Sequence, residues 1–374
     1  MANQLRQLTG FGQSIWLDNI ERSMFASGEL RRLIASGVRG LTSNPTIFEH
    51  AIDRGHDYDG QIELLAGKEK DPNAVFEALA IPDIQAALDE FQAIYEATGG
   101  ADGFVSFEVA PRLAHDAHAT IASAKRLWAA IDRPNLMIKI PGTEAGAPAI
   151  AAAIAAGINV NVTLLFSLDA YERAANAYID GLEARASAKL PLHGVTSVAS
   201  FFLSRIDTEI DRQLEDKIAA GQVELEALRG KAAIAQAKLA YLRFKALFGG
   251  ERFKRLAALG ATVQRPLWAS TSTKNPHYAD LKYVESLVAP HTVNTIPPKT
   301  LAALLDHGNI VGGTAETDPA GVRKVASDLA NAGISIDDVT AGLEAAGVKS
   351  FAASYDLLLS VIASKQRYVT GAVA

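Results

Sequence analysis

Cysteine is absent from all 374 residues, which removes disulfides, thiolate catalysis and cysteine-ligated zinc or iron–sulfur centres. Charge of one sign is never concentrated. The formal net charge is −6 and no block of Lys or Arg interrupts the chain, so neither nucleic acid nor an anionic membrane is an expected partner, and any phosphate site must be local. Long apolar runs are missing too. The most apolar stretch, residues 147–166, contains Gly157, Asn159 and Asn161, and reads as a helix followed by a strand rather than a membrane span. The polar residues 1–13 lack an apolar signal-peptide core, so a cytoplasmic protein is expected. No linker rich in Pro, Gly or Ser divides the chain.

What remains is the balance of a globular protein, 49% hydrophobic and 21% charged, long enough for a large core. Short β-like runs alternate with amphipathic helical runs. Strands are expected at 14–18, 40–45, 103–109, 136–140, 157–166, 195–202, 267–271 and 292–296. Between them helices are expected at 21–36, 81–97, 113–131, 147–156 and from the N-cap Ser167 to 188. Repeated strand–helix units of this number specify an α/β fold, a (β/α)8 TIM barrel. A doubly wound open sheet is the structural alternative, but no G-x-G-x-x-G turn follows the first strand. We expect one barrel domain spanning 1–374, with helical insertions at 46–99 and 203–248 and a helical C-terminal segment at 317–367. In that last segment Phe351, Tyr355, Leu358 and Ile362 recur at helical spacing, as in a docking helix.

The fourth strand, Met137-Ile138-Lys139-Ile140-Pro141, buries a lysine in an apolar run. Burial disfavours the ammonium, and the neutral amine is the species that attacks a carbonyl to form a Schiff base. Lys139 is not alone. Strand interiors of a parallel barrel should be apolar, yet Asp18, Asn44, Glu108, Asn161, Thr163, Ser200 and Ser270 all fall late in successive strands, the end where barrel active sites gather. Asp18 and Glu108 supply two carboxylates for separate acid and base roles. Asn44, Asn161 and Ser200 can orient hydroxyl groups. Arg205 and Lys274, just past strands six and seven, can hold a phosphate dianion. The set describes Schiff-base chemistry on a sugar phosphate. Two other readings compete. A non-catalytic sugar-phosphate-binding barrel would need Arg205 and Lys274 but not Lys139, and Arg205 could instead pair with Asp207 or Glu209. His115 and His118, spaced i, i+3, could share a helix face, but a solvated or capping role fits them better than a metal site, and no metal or other cofactor is expected.

Several of these segments resemble the transaldolase family. The carriers are Leu41-Thr42-Ser43-Asn44-Pro45-Thr46-Ile47-Phe48, Val105-Ser106-Phe107-Glu108-Val109, the lysine strand, and above all Asn159-Val160-Asn161-Val162-Thr163-Leu164-Leu165-Phe166-Ser167. The resemblance implies a pentose-phosphate-pathway transferase that moves a dihydroxyacetone unit between sugar phosphates. It makes Lys139 the Schiff-base lysine, Asp18 the base acting on the C4 hydroxyl, and Glu108 and Thr163 the residues that position a proton-shuttling water. It gives Asn44, Asn161 and Ser200 the dihydroxyacetone hydroxyls and Arg205 and Lys274 the phosphate, with Phe202 lining the pocket. Family members often carry arginine where Lys274 stands, and lysine loses the bidentate geometry. The chain is longer than short family members, mainly after strand six. A fructose-6-phosphate aldolase-like lyase is the alternative activity on the same site. A monomer and a homodimer are both compatible with the sequence.

Overall fold

Apart from the polar residues named above, the strands of this chain are apolar on both faces, and burying both faces requires a sheet wrapped in helices. The computed structural model, which describes residues 3–369, satisfies that requirement by closure. The strands β1 (Gln13–Asp18), β2 (Gly40–Thr42), β3 (Val105–Glu108), β4 (Leu136–Pro141), β5 (Val160–Leu165), β6 (Ser197–Phe202), β7 (Arg265–Ala269) and β8 (Thr292–Ile296) pair in parallel in sequence order. β8 closes on β1, with Ile15 opposite Asn294. This is the (β/α)8 barrel expected from the alternation of strands and helices. Gly40 marks a close approach at the start of β2: a Cβ there would stand 2.7 Å from the Trp16 ring and 2.8 Å from the Phe104 carbonyl oxygen.

Three local differences from the sequence reading have clear causes. β2 ends at Thr42 rather than 45, because the Asn44 side chain accepts a hydrogen bond from the Ile47 N–H and Pro45 opens the helix Pro45–Arg54. The expected helix at 21–36 is divided into Ser23–Ala26 and Glu29–Ser36 by Gly28, whose φ is +67°. The helix read at 81–97 begins nine residues earlier, at Pro72, capped by Asp71. It runs through Pro82, which leaves the Ala78 carbonyl without its helical donor. Gln61 Nε2 donates to that carbonyl instead, at 2.9 Å. Ser167 caps the helix Leu168–Ser187 as expected, accepting from the Ala170 N–H.

Residues 203–248 form helices Ser204–Ala219 and Ala232–Phe248, the latter packed on Leu168–Ser187, β7 and Pro319–Asn331. At the C-terminus, the helix Ile336–Val369 lies across the helices Pro45–Arg54, Asp59–Ala66 and Pro72–Ala97. By length and composition it is apolar enough to cross a bilayer, yet Phe351, Tyr355, Leu358 and Ile362 are buried against the barrel, which makes it a docking helix. It roofs the C-terminal mouth. One turn below, Leu164 adopts a φ of +61°, and the register between β5 and β6 slips from Val162 to Leu165. That bulge bends the end of β5 under the roof, where Leu164 and Phe166 flank Gly347.

The opposite pole is held by one buried carboxylate. Asp102 accepts hydrogen bonds from Trp16 Nε1 at 3.0 Å and from the Ser14 hydroxyl, and pairs with Arg265 at 3.4 Å. Removing one member of a buried ion pair leaves the others uncompensated, so Asp102→Ala should lower unfolding free energy by about 3–5 kcal/mol. Urea denaturation checks this. Because the substitution lies at the pole away from the mouth, kcat of the folded variant should stay within about two-fold of wild type.

Candidate active site

Lys139 sits on β4 opposite Glu108 of β3 and Asn161 of β5, so three polar side chains project from adjacent strands at one level. The lysine is 5% exposed. Its Nζ lies 3.2 Å from Glu108 Oε2 and donates to the Ser43 carbonyl at 3.1 Å. Neither Glu108 oxygen accepts a well-aligned hydrogen bond, so its link to Lys139 is mainly Coulombic. Burial pushes the Glu108 carboxyl above the usual carboxylate range, against the opposing pull of the lysine charge. Asp18, at the end of β1, is half-buried and lines the cavity at the C-terminal mouth. Its pKa is raised as well, first by burial, while Lys139, the Thr42 hydroxyl and Lys274 act in the other direction. Thr42 Oγ1 donates to Asp18 Oδ1 at 2.8 Å and lies 2.6 Å from Thr295 Oγ1, which fixes the carboxylate from beneath.

These groups border a cavity of about 240 Å³ at the C-terminal mouth. Of the residues expected from sequence, Asp18, Asn44, Lys139, Thr163, Ser200, Phe202 and Arg205 line it. Glu108 and Asn161 stand one layer behind. Glu108 touches Lys139, and Asn161 accepts from Ser200 Oγ at 2.7 Å while donating to Ser106 Oγ at 3.0 Å. Both polar ends of Asn161 are thus engaged inside the barrel, which leaves Ser200 as the group presented to the cavity. Thr163 Oγ1 is buried with no hydrogen-bond partner and is free to bind one.

Arg205 projects from the first turn of Ser204–Ala219, its guanidinium 5.9 Å from the Phe202 ring centre, and burial lowers its pKa. The surface pairing considered for it does not form. Asp207 instead accepts from Lys282, Tyr283 and the Ala233 N–H, and Glu209 accepts from Arg212 and Gln213. A half-buried cation with no carboxylate partner at a helix N-terminus favours an anion. Lys274, unlike Glu108 and Asn161 behind the wall, lies outside this lining on the surface. It is exposed, borders a neighbouring depression, and donates to Ser272 Oγ at 2.7 Å.

Thr42, Thr46, Ile47, His50, Thr295 and Phe351 also line the cavity and were not read from the sequence as site residues. Thr42 and Thr295 carry the signal that revealed the others, a polar residue late in a buried strand. Phe351 carries none, since an aromatic in an apolar helical stripe reads as core. His115 and His118 are both exposed, the solvated role expected for them, although they do not share a helix face. Asp116 caps the helix Ala117–Ile131, accepting from the Ala119 N–H, so His115 lies before the first turn.

A sequence profile described as Transaldolase/Fructose-6-phosphate aldolase matches residues 15–362. The chain belongs to the transaldolase/fructose-6-phosphate aldolase family. Among relatives named transaldolase, that of Mycolicibacterium smegmatis is 49% identical, with 95% of each chain covered. The one from Frankia alni is 46% identical with 98% of each covered, and the one from Trichodesmium erythraeum 45% identical with 99% of each covered. The family match thus takes in every residue that lines the cavity, from Asp18 to Phe351.

The raised Asp18 pKa has a definite consequence for stability. A carboxyl that binds its proton more tightly when folded contributes most below its unfolded pKa, near 3.8, and that contribution is lost as pH rises through the folded value. Asp18→Asn cannot ionise and keeps an acceptor for Thr42. Its Tm relative to wild type should therefore rise between pH 4 and pH 7.5, as measured by calorimetry. A Tm difference that is flat or falls with pH would contradict the direction of the shift.

Proposed function

We propose that this protein is a transaldolase, a transferase that carries a dihydroxyacetone unit from sedoheptulose 7-phosphate or fructose 6-phosphate to glyceraldehyde 3-phosphate or erythrose 4-phosphate. The observation that carries the reading is a buried lysine amine between two carboxylates, on a cavity whose far corner holds an unpaired arginine. Lys139 attacks the ketose carbonyl, and loss of water gives an iminium that acts as an electron sink. Asp18 takes the proton of the C4 hydroxyl as the C3–C4 bond breaks, leaving an enamine on the lysine and releasing an aldose phosphate. Addition of the enamine to a second aldehyde and hydrolysis of the new imine complete the transfer. Glu108 and Thr163 hold the water that moves protons during imine formation and hydrolysis; the unpartnered Thr163 hydroxyl and Glu108 oxygens support this role. Asn44 and Ser200 hold the dihydroxyacetone hydroxyls, with Asn161 fixing Ser200. Arg205 binds the phosphate beside Phe202, and Lys274 adds positive charge from the rim.

The reaction uses no cofactor, and we place it in the cytoplasm within the pentose phosphate pathway. We take the chain as one barrel domain, with 46–99 and 203–248 as its helical insertions. The family description also covers fructose-6-phosphate aldolase, so the test must separate the two activities. With fructose 6-phosphate and erythrose 4-phosphate, a coupled assay should show sedoheptulose 7-phosphate and glyceraldehyde 3-phosphate forming together. With fructose 6-phosphate alone, steady release of dihydroxyacetone should be far slower. Equal rates in the two assays would make the protein a lyase. In the same assay Asp18→Ala should lose about 10²–10⁴ in kcat, the usual contribution of a positioned general base.

A further inference from the structure

We infer that Phe351 is a specificity-determining residue, an apolar roof over Lys139 that keeps water from the enamine and so favours transfer over release. The inference rests on the transaldolase reading above. It begins from where the cavity walls come from. Every other lining residue lies on a strand or on the loop and helix that follow one, from Asp18 on β1 to Thr295 on β8. Phe351 alone comes from the C-terminal helix Ile336–Val369. It is 5% exposed, and its ring centre lies 5.6 Å from Lys139 Nζ.

The two sides of the lysine are chemically unlike. Towards the barrel are Glu108, the Ser43 carbonyl and the unpartnered Thr163 hydroxyl, all able to bind water. Towards the mouth is an aromatic ring, which offers water no comparable partner. Its π-face is suited to the cationic iminium. Release and transfer diverge at the enamine. In release, C3 of the enamine takes a proton, water adds to the resulting iminium, and the carbon–nitrogen bond breaks to give dihydroxyacetone and the free amine. In transfer, C3 bonds to the acceptor carbonyl carbon, and the new C4 oxygen takes the proton held by Asp18. Both routes share the imine, so a group that excludes bulk water from C3 changes their ratio without changing the nucleophile.

The roof is anchored for this task. Ser354, one turn further along, accepts from Thr46 Oγ1 at 2.9 Å, and Thr46 itself lines the cavity. Arg112 pairs with Asp356, Tyr355 bonds Asn73, and Lys365 reaches Asp59 at 2.6 Å. Phe76 meets Tyr355 edge-on, with ring centres 5.7 Å apart. The helix that carries the ring is therefore fixed on both sides of Phe351, by these contacts and by Gly347 against Leu164 of β5.

The test compares wild type, Phe351→Ala and Phe351→Leu, each checked for folding by circular dichroism. For each, dihydroxyacetone release from fructose 6-phosphate alone is divided by transfer to erythrose 4-phosphate. Phe351→Ala should raise that ratio by about ten-fold or more, with Phe351→Leu between it and wild type. A fall in both rates by one common factor, with the ratio unchanged, would overturn the role of Phe351 while leaving the transaldolase reading intact. If Phe351→Ala does not fold, the Phe351→Leu ratio alone decides. A wild type that releases dihydroxyacetone as fast as it transfers would overturn both.

Discussion

One buried lysine organises this protein's chemistry. Placing Lys139 in the middle of an apolar strand is unfavourable unless charge and dipole meet it, and the barrel supplies both within 3.2 Å: the Glu108 carboxylate from the next strand and the Ser43 carbonyl from the turn after β2. The carboxylates bear the same burden in return. Burial resists the ionisation of Glu108 and Asp18, and the lysine charge is the largest single force opposing it in both. Lysine and carboxylates therefore form one electrostatic unit at the wall of the cavity.

The rest of the fold can be read as support for that unit. At one pole a buried network gathers Trp16, Ser14 and Arg265 on Asp102, and at the other the strand ends and Arg205 face a small cavity. Thr163 Oγ1 and both Glu108 oxygens remain without aligned partners, and the Ser270 backbone takes a φ of +55°. Such unsatisfied or strained groups are tolerable because the surrounding barrel over-determines their positions.

How far the sequence foretold this depends on which physical signal each part carried. The strands were legible because a doubly buried strand must be apolar, and β8 was read to the residue. The polar exceptions to that rule, Asp18, Glu108, Lys139, Asn161, Thr163 and Ser200, came together around one cavity for the same reason. Boundaries failed where a side chain outweighed local propensity: Asn44 capping a helix rather than ending a strand, and Gln61 satisfying the carbonyl exposed by Pro82. Phe351 was legible as a buried residue of a docking helix, but which cavity it covers depends on a contact between segments more than two hundred residues apart. Nothing in local sequence encodes that. Lys274 shows the converse, a charge at the expected place in the chain that folds to the rim rather than into the lining.

The central claim is that the Lys139 amine becomes the covalent carrier of the substrate. Borohydride reduction in the presence of fructose 6-phosphate, followed by peptide mapping by mass spectrometry, tests it most directly. The account predicts a reduced dihydroxyacetone adduct on Lys139 in wild type. In Asp18→Ala, where the imine forms but cleavage stalls, it predicts an adduct carrying the whole ketose phosphate on the same lysine. An adduct on another lysine, or none from folded protein that still binds fructose 6-phosphate, would contradict it.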